Sequence, residues 1–154
     1  MKITQKEYDD FKNIVVEIVN TDKFKKMKEI KQHRFTTCYH HSINVATKCF
    51  IYAKRMNLKI DLPSLVRGAL LHDFYLYDWR IDKKNHSNHS YMHPRIALEN
   101  AKKEYGDLNK IEEDIILSHM WPINLFKVPK YKESVLVCFS DKICAAKEFF
   151  GKTR

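Results

Sequence analysis

Residues 65–73 read LVRGALLHD, an apolar run that ends directly on a histidine and an aspartate. Asp61 followed by Pro63 is a helix start signal just ahead of it. The run is therefore expected to be a helix that delivers His72 and Asp73 out of the core. Burying an unpaired carboxylate is costly, so Asp73 needs a compensating charge. Asp141 poses the same problem inside the apolar segment VLVCFSDKICAA, residues 135–146.

The rest of the chain supports a helical reading. Its 154 residues include three Gly and four Pro, about 5% against roughly 12% in an average protein. Sandwiches and barrels turn often and consume those residues, so the expected class is all-α. The length suits a single domain over 1–154, and 44% hydrophobic residues suffice for a core, which excludes a disordered chain.

Seven helices are expected. Thr4 and Glu7 form a capping box ahead of an apolar face of Phe11, Ile14, Val15, Ile18 and Val19. A second helix starts at Thr21, with Phe24, Met27 and Ile30 inward and Lys23, Lys25, Lys26, Lys28 and Lys31 in solvent. A third runs from Thr36 or Thr37 to about Asn57 and is buried over most of its girth. The fourth follows Asp61. From Tyr75 to about Met92 periodicity vanishes, and so long a connector is usually functional or mobile. Pro94 opens the next helix, which ends at Gly106. Asn109 caps another, stopped by Trp121-Pro122, and the last spans about Lys130 to Phe150, carrying Val135, Cys138, Phe139, Ile143 and Ala146.

Several functional classes are excluded by composition. The longest unbroken apolar stretches are about five residues, as in Val135–Phe139, far below the roughly 20 of a membrane span. The N-terminal MKITQKEYDDFK lacks the apolar core of a secretion signal. Cys38, Cys49, Cys138 and Cys144 form no CxxC pair, so reduced, buried thiols and a cytoplasmic location are expected. Lys plus Arg less Asp plus Glu, 28 − 19, gives +9, a balance suited to a polyanionic partner.

All eight histidines lie between His33 and His119. His41 sits in a largely apolar helix, His72 and Asp73 close an apolar run, His93 precedes a helix, His119 ends one, and Asp141 lies in the last helix. Imidazole plus carboxylate is a ligand set suited to Fe, Mn, Zn or related divalent metals. His40 points about 100° away from His41 and is read as a neighbour, and His86 as a surface residue. Trp79 and Trp121 flank the ligands in sequence and are read as packing residues.

In order and setting, HHSINVA around His41, GALLHD at His72 and Asp73, and SDKICA around Asp141 resemble the HD-domain metal-dependent phosphohydrolases. The resemblance covers about residues 33–148, with residues 1–32 as N-terminal helices packing on that core. It implies a single helical bundle around a central metal site. It also implies that His41, His72, Asp73 and Asp141 hold a first divalent ion, and that Asp73 bridges to a second bound by His93 and His119. Residue 118 is Ser where some relatives carry a second His, so one possible ligand of the second ion is missing.

The activity implied is hydrolysis of a phosphoester, a nucleotide or another small phosphorylated metabolite, by metal-activated water. The cofactor would be one or two ions of Fe, Mn, Zn, Co or Mg. Asp73, Lys142 and His89 are the candidate catalytic residues, and Arg80, Arg95 and His33 the candidate substrate contacts; His89 and Arg80 lie on a loop able to fold over the metals. Two other functions are weighed. One is an HD-type di-iron oxygenase. The other is a nucleic-acid-binding or regulatory module with a structural metal, disfavoured because aromatic and basic residues are not interleaved.

Overall fold

The computed structural model describes residues 3–33, 35–81 and 88–151. Residues 82–87, His86 among them, lie outside the described residues. Among the described residues are seven helices and a two-stranded antiparallel hairpin: α1 (Gln5–Val19), α2 (Asp22–Lys26), β1 (Lys31–His33), β2 (Thr36–Thr37), α3 (Cys38–Arg55), α4 (Leu62–Leu71), α5 (His89–Tyr105), α6 (Lys110–Ser118) and α7 (Lys132–Phe149). The chain is an all-α bundle, and none of its described helices is long and apolar enough to cross a membrane.

Local chemistry sets most helix starts. Thr4 with Glu7, and Asn109 with Glu112, form reciprocal capping boxes, while Thr21, Thr37 and Asp61 each accept from a backbone N–H of the first turn. Helix α4 is the centre of the bundle. Ser64, Leu65, Val66, Gly68, Ala69, Leu70 and Leu71 are all buried, because α3, α6, α1 and α7 pack round it.

Four expectations are corrected. The second helix stops at Lys26. Met27 to Ile30 then continue in tighter i→i−3 bonds, with Met27 and Ile30 buried. The hairpin Lys31–Thr37 follows where no strand was expected. The fifth helix begins at His89 instead of Pro94; the first four N–H groups of a helix have no intrahelical partner, so a proline at its sixth residue forfeits a single bond, to the Ser90 carbonyl. Finally, α7 turns Val135 and Phe139 to solvent, at 55% and 60% exposure, and buries Glu133, Ser134, Ser140, Asp141 and Glu148 instead. Its inner face is mixed: Val137, Cys138 and Cys144 are buried beside these polar residues, and Asp141 and Glu148 reach the cluster described below.

One contact fixes the spacing of α4 and α6. A Cβ on Gly68 would lie 2.6 Å from Ile115 Cδ1 and 3.0 Å from Ile115 Cβ and Cγ2. Gly68 precedes His72 by one turn and Ile115 precedes His119 by one turn, so this close approach brings the two rings to 4.9 Å between centroids. Gly68→Val is expected to destabilise the chain by roughly 1–3 kcal/mol through overpacking and to weaken metal binding. Thermal melts with and without metal check both effects.

Candidate metal centre

Four histidines are oriented before any ion is considered. His72 Nδ1 donates to the Ala69 carbonyl at 2.7 Å, His119 Nδ1 to Ile116 at 2.8 Å and His93 Nδ1 to His89 at 2.8 Å. A carbonyl only accepts, so each bond puts the proton on Nδ1 and leaves the lone pair of the neutral ring on Nε2. His41 is oriented by a carboxylate instead: its Nδ1 lies 2.8 Å from Glu148 Oε2, which leaves Nε2 as the atom turned to the centre. All four Nε2 atoms turn inward.

They meet Asp73 and Asp141. Asp73 Oδ2 lies 3.4 Å from His72 Nε2 and 3.9 Å from His41 Nε2, while Asp141 Oδ1 lies 2.9 Å from His41 Nε2 and 3.7 Å from His72 Nε2. The other oxygen, Asp73 Oδ1, lies 3.3 Å from His93 Nε2 and 3.5 Å from His119 Nε2. The two oxygens of Asp73 thus face two different sets of nitrogens. His41, His72 and Asp73, and Asp73, His93 and His119, are each grouped closely enough to hold a metal ion.

The unsatisfied atoms test whether the residues fit divalent ions. His72 Nε2 and Asp73 Oδ1 are buried with no hydrogen-bond partner. His93 Nε2 and His119 Nε2 stand 2.8 Å apart, although both neutral rings present lone pairs there, so a positive charge is needed between them. Ligand atoms bound at about 2.0–2.2 Å to one ion lie roughly 3–4 Å from each other, which is the spacing observed. The residues fit.

The electrostatics agree. Burial disfavours a charged His41, but Asp141 and Glu148 outweigh it and raise its pKa to about 9. His72 is raised too, burial being overcome by Asp73 and Asp141. Burial also opposes ionisation of Asp73, yet the charge of His72 and the adjoining His119 and His93 hold it well below the usual carboxylate range. His119 is lowered, chiefly by burial. The two carboxylates are therefore ionised and draw positive charge to themselves.

The other candidate residues are dispersed around this centre. His33 is half-buried, its ring edge-on to His41 at 5.2 Å. Asp141 has the largest side-chain exposure of the six candidate ligands, 13%. His89 stacks on His93 at 4.5 Å and on Trp79 at 5.1 Å, with Nδ1 2.9 Å from the Tyr77 hydroxyl. Arg80 donates to the Gln32 carbonyl at 2.6 Å and covers the Trp79 ring, tying its segment to the hairpin. Lys142 Nζ donates to the His119 carbonyl at 2.9 Å and to the Cys138 carbonyl at 3.3 Å, bracing the end of α6. Arg95 faces away, into a cleft with Tyr91, Met92, Pro94 and Phe126. His40 is exposed and bonds to Thr37, outside the cluster. Ser118 donates to the Asp114 carbonyl instead of facing the centre.

Two close residues escaped the sequence reading. Gln32, on the hairpin, donates through Nε2 to Asp73 Oδ2. Its Oε1 accepts from the Tyr75 hydroxyl at 2.7 Å and the Cys38 thiol at 2.9 Å, which fixes the amide. Nothing in the spacing signals this residue. Glu148 had a signal, since it follows Asp141 by seven residues, two helical turns on one face.

A protein-family model, HD domain, matches residues 38–146, from the first residue of α3 into α7, and spans all six candidate ligands. No match is found among curated proteins or among solved structures.

Proposed function

The chain belongs to the HD-domain family, and on that premise we propose that it is a metal-dependent phosphohydrolase acting on a nucleotide or another small phosphorylated metabolite. The observation that carries the reading is Asp73, whose two oxygens face separate histidine sets, His41 and His72 on one side and His93 and His119 on the other. Asp141 completes the first set.

Divalent ions held there supply Lewis-acid charge and lower the pKa of bound water toward neutrality. The chain's own residues do the rest. The six ligands carry two negative charges, fewer than the four positive charges of two divalent ions, so the centre favours an anionic substrate. Gln32, its carbonyl engaged, keeps an N–H aimed at Asp73 and holds that carboxylate in one orientation. His33, edge-on to His41, and His89, stacked against His93, are placed to contact a bound phosphoester or to protonate its leaving oxygen. Arg80 contributes by holding the hairpin and the 75–81 segment together. Lys142 acts through the His119 carbonyl it braces. The excess of basic residues draws phosphates toward the centre.

The test is reconstitution. Chelator-stripped protein loaded in turn with Mn, Fe(II), Co, Zn and Mg is assayed for phosphate release from p-nitrophenyl phosphate and a nucleoside monophosphate panel. Hydrolysis restored by at least one metal is expected. Inertness with all five while metal is bound would overturn the reading.

A further inference from the structure

We propose that Glu148 is a positioning residue for the first metal position, fixing His41 from the side opposite the ion and making that position the tighter of the two. The inference rests on the metal-centre reading above. Three of the four candidate ligand histidines are oriented by a carbonyl of the residue three or four places earlier, Ala69, Ile116 or His89. Such bonds come with the local chain and need no partner from elsewhere. His41 differs, because its Nδ1 is held by a side chain from another helix.

Glu148 is 2% exposed and both its oxygens are engaged. Oε2 accepts from His41 Nδ1 at 2.8 Å, and Oε1 accepts from Asn44 Nδ2 at 2.9 Å. Asn44 lies one turn beyond His41 on α3, so α3 supplies both the ring and the residue that orients the carboxylate. Asp141 and Glu148, two turns apart on α7, grip the ring at opposite nitrogens, Nε2 at 2.9 Å and Nδ1 at 2.8 Å. Packing alone does not account for a buried carboxylate here, since an apolar side chain of similar volume would fill the space without the desolvation penalty.

A carboxylate behind an imidazole makes it a stronger donor than a neutral carbonyl does, and loss of such a partner typically weakens metal binding 10–100-fold. Charge acts in the same direction. Asp73, Asp141 and Glu148 adjoin the first position, whereas Asp73 is the carboxylate the second group contains. Ions are therefore expected to load the first position before the second.

The experiment titrates chelator-stripped protein with Co(II), followed by visible absorption and calorimetry, in the wild type, Glu148→Gln and Asn44→Ala. In Glu148→Gln the tighter event should weaken about 10–100-fold with a changed Co(II) spectrum, while any weaker event keeps its affinity. Circular dichroism and thermal melts of the stripped proteins report folding separately. Should Glu148→Gln fail to fold, Asn44→Ala, at an exposed position, should still weaken the tighter event by severalfold. Unchanged affinity in the folded variants, or equal weakening of both events, would overturn the proposal. Phosphoester hydrolysis is not the readout, so an inactive wild type that binds Co(II) would sink the hydrolase reading and leave this result standing.

Discussion

Asp73→Asn is expected to lower phosphoester hydrolysis by about three orders of magnitude or more, equivalent to roughly 4 kcal/mol of transition-state stabilisation. The same substitution should reduce bound metal at both positions. One oxygen of Asp73 faces His41 and His72 and the other faces His93 and His119. An amide keeps the shape but replaces one ligating oxygen with a nitrogen that has no lone pair to offer, and it removes the charge. Whichever way it turns, one position loses its carboxylate oxygen and the other keeps only a neutral carbonyl. Asp141→Asn is the informative contrast, because Asp141 approaches His41 and His72 alone and should affect the first position selectively. Elemental analysis of metal per chain, with phosphate release on the same samples, checks both. An Asp73→Asn protein with full metal content and activity would refute the bridging role.

Metal affinity should rise steeply with pH between neutrality and about pH 9. Without an ion, burial works against a charged His41, but Asp141 and Glu148 hold its pKa near 9. At pH 7 the ring is therefore protonated, and an ion must displace that proton to reach Nε2. Each displaced proton makes the apparent affinity about tenfold higher per pH unit, so one proton from His41 gives roughly 100-fold between pH 7 and 9. His72, also raised, steepens the slope. The stability of the metal-free chain runs the other way. A folded-state pKa above the unfolded value contributes stability that is fully present below about pH 6.5 and is lost as pH rises through about 9. Calorimetry at pH 7 in buffers of differing ionisation enthalpy should register at least one proton released with the first ion. A pH-independent affinity would show that His41 enters the reaction already neutral.

Asp73 and Asp141 stood out among the six candidate ligands because each is a carboxylate that closes or interrupts an apolar run, and His41 and His72 share those settings; His93 and His119 entered through the resemblance to the HD family. His41 falls on the buried face of α3, His72 and Asp73 follow the run Leu65–Leu71, and Asp141 lies on the inner face of α7. A buried carboxylate is costly wherever it occurs, so its sequence context announces a compensating partner before the fold is known. Capping residues, similarly local, located the starts of α1, α3, α4 and α6. The beginning of α5 was missed because Pro94 is a strong start signal, yet a helix tolerates it a turn and a half in when the lost bond lies so near its N-terminus.

What the sequence determined by itself was thus the helical class, most helix starts and the identity of the residues that must find a counter-charge. The tertiary structure decided which of them share an ion. That outcome depends on the register between helices, set by contacts such as Gly68 against Ile115, and on side chains brought from distant elements, Gln32 from the hairpin to Asp73 and Glu148 from α7 to His41. It also decided that α7 turns Asp141 and Glu148 inward beside Val137, Cys138 and Cys144, with Val135 and Phe139 left outside. Periodicity records which residues lie on one side of one helix; it carries no information about which neighbour that side will meet. Where the neighbour is another set of ligands, carboxylates pack inward as well.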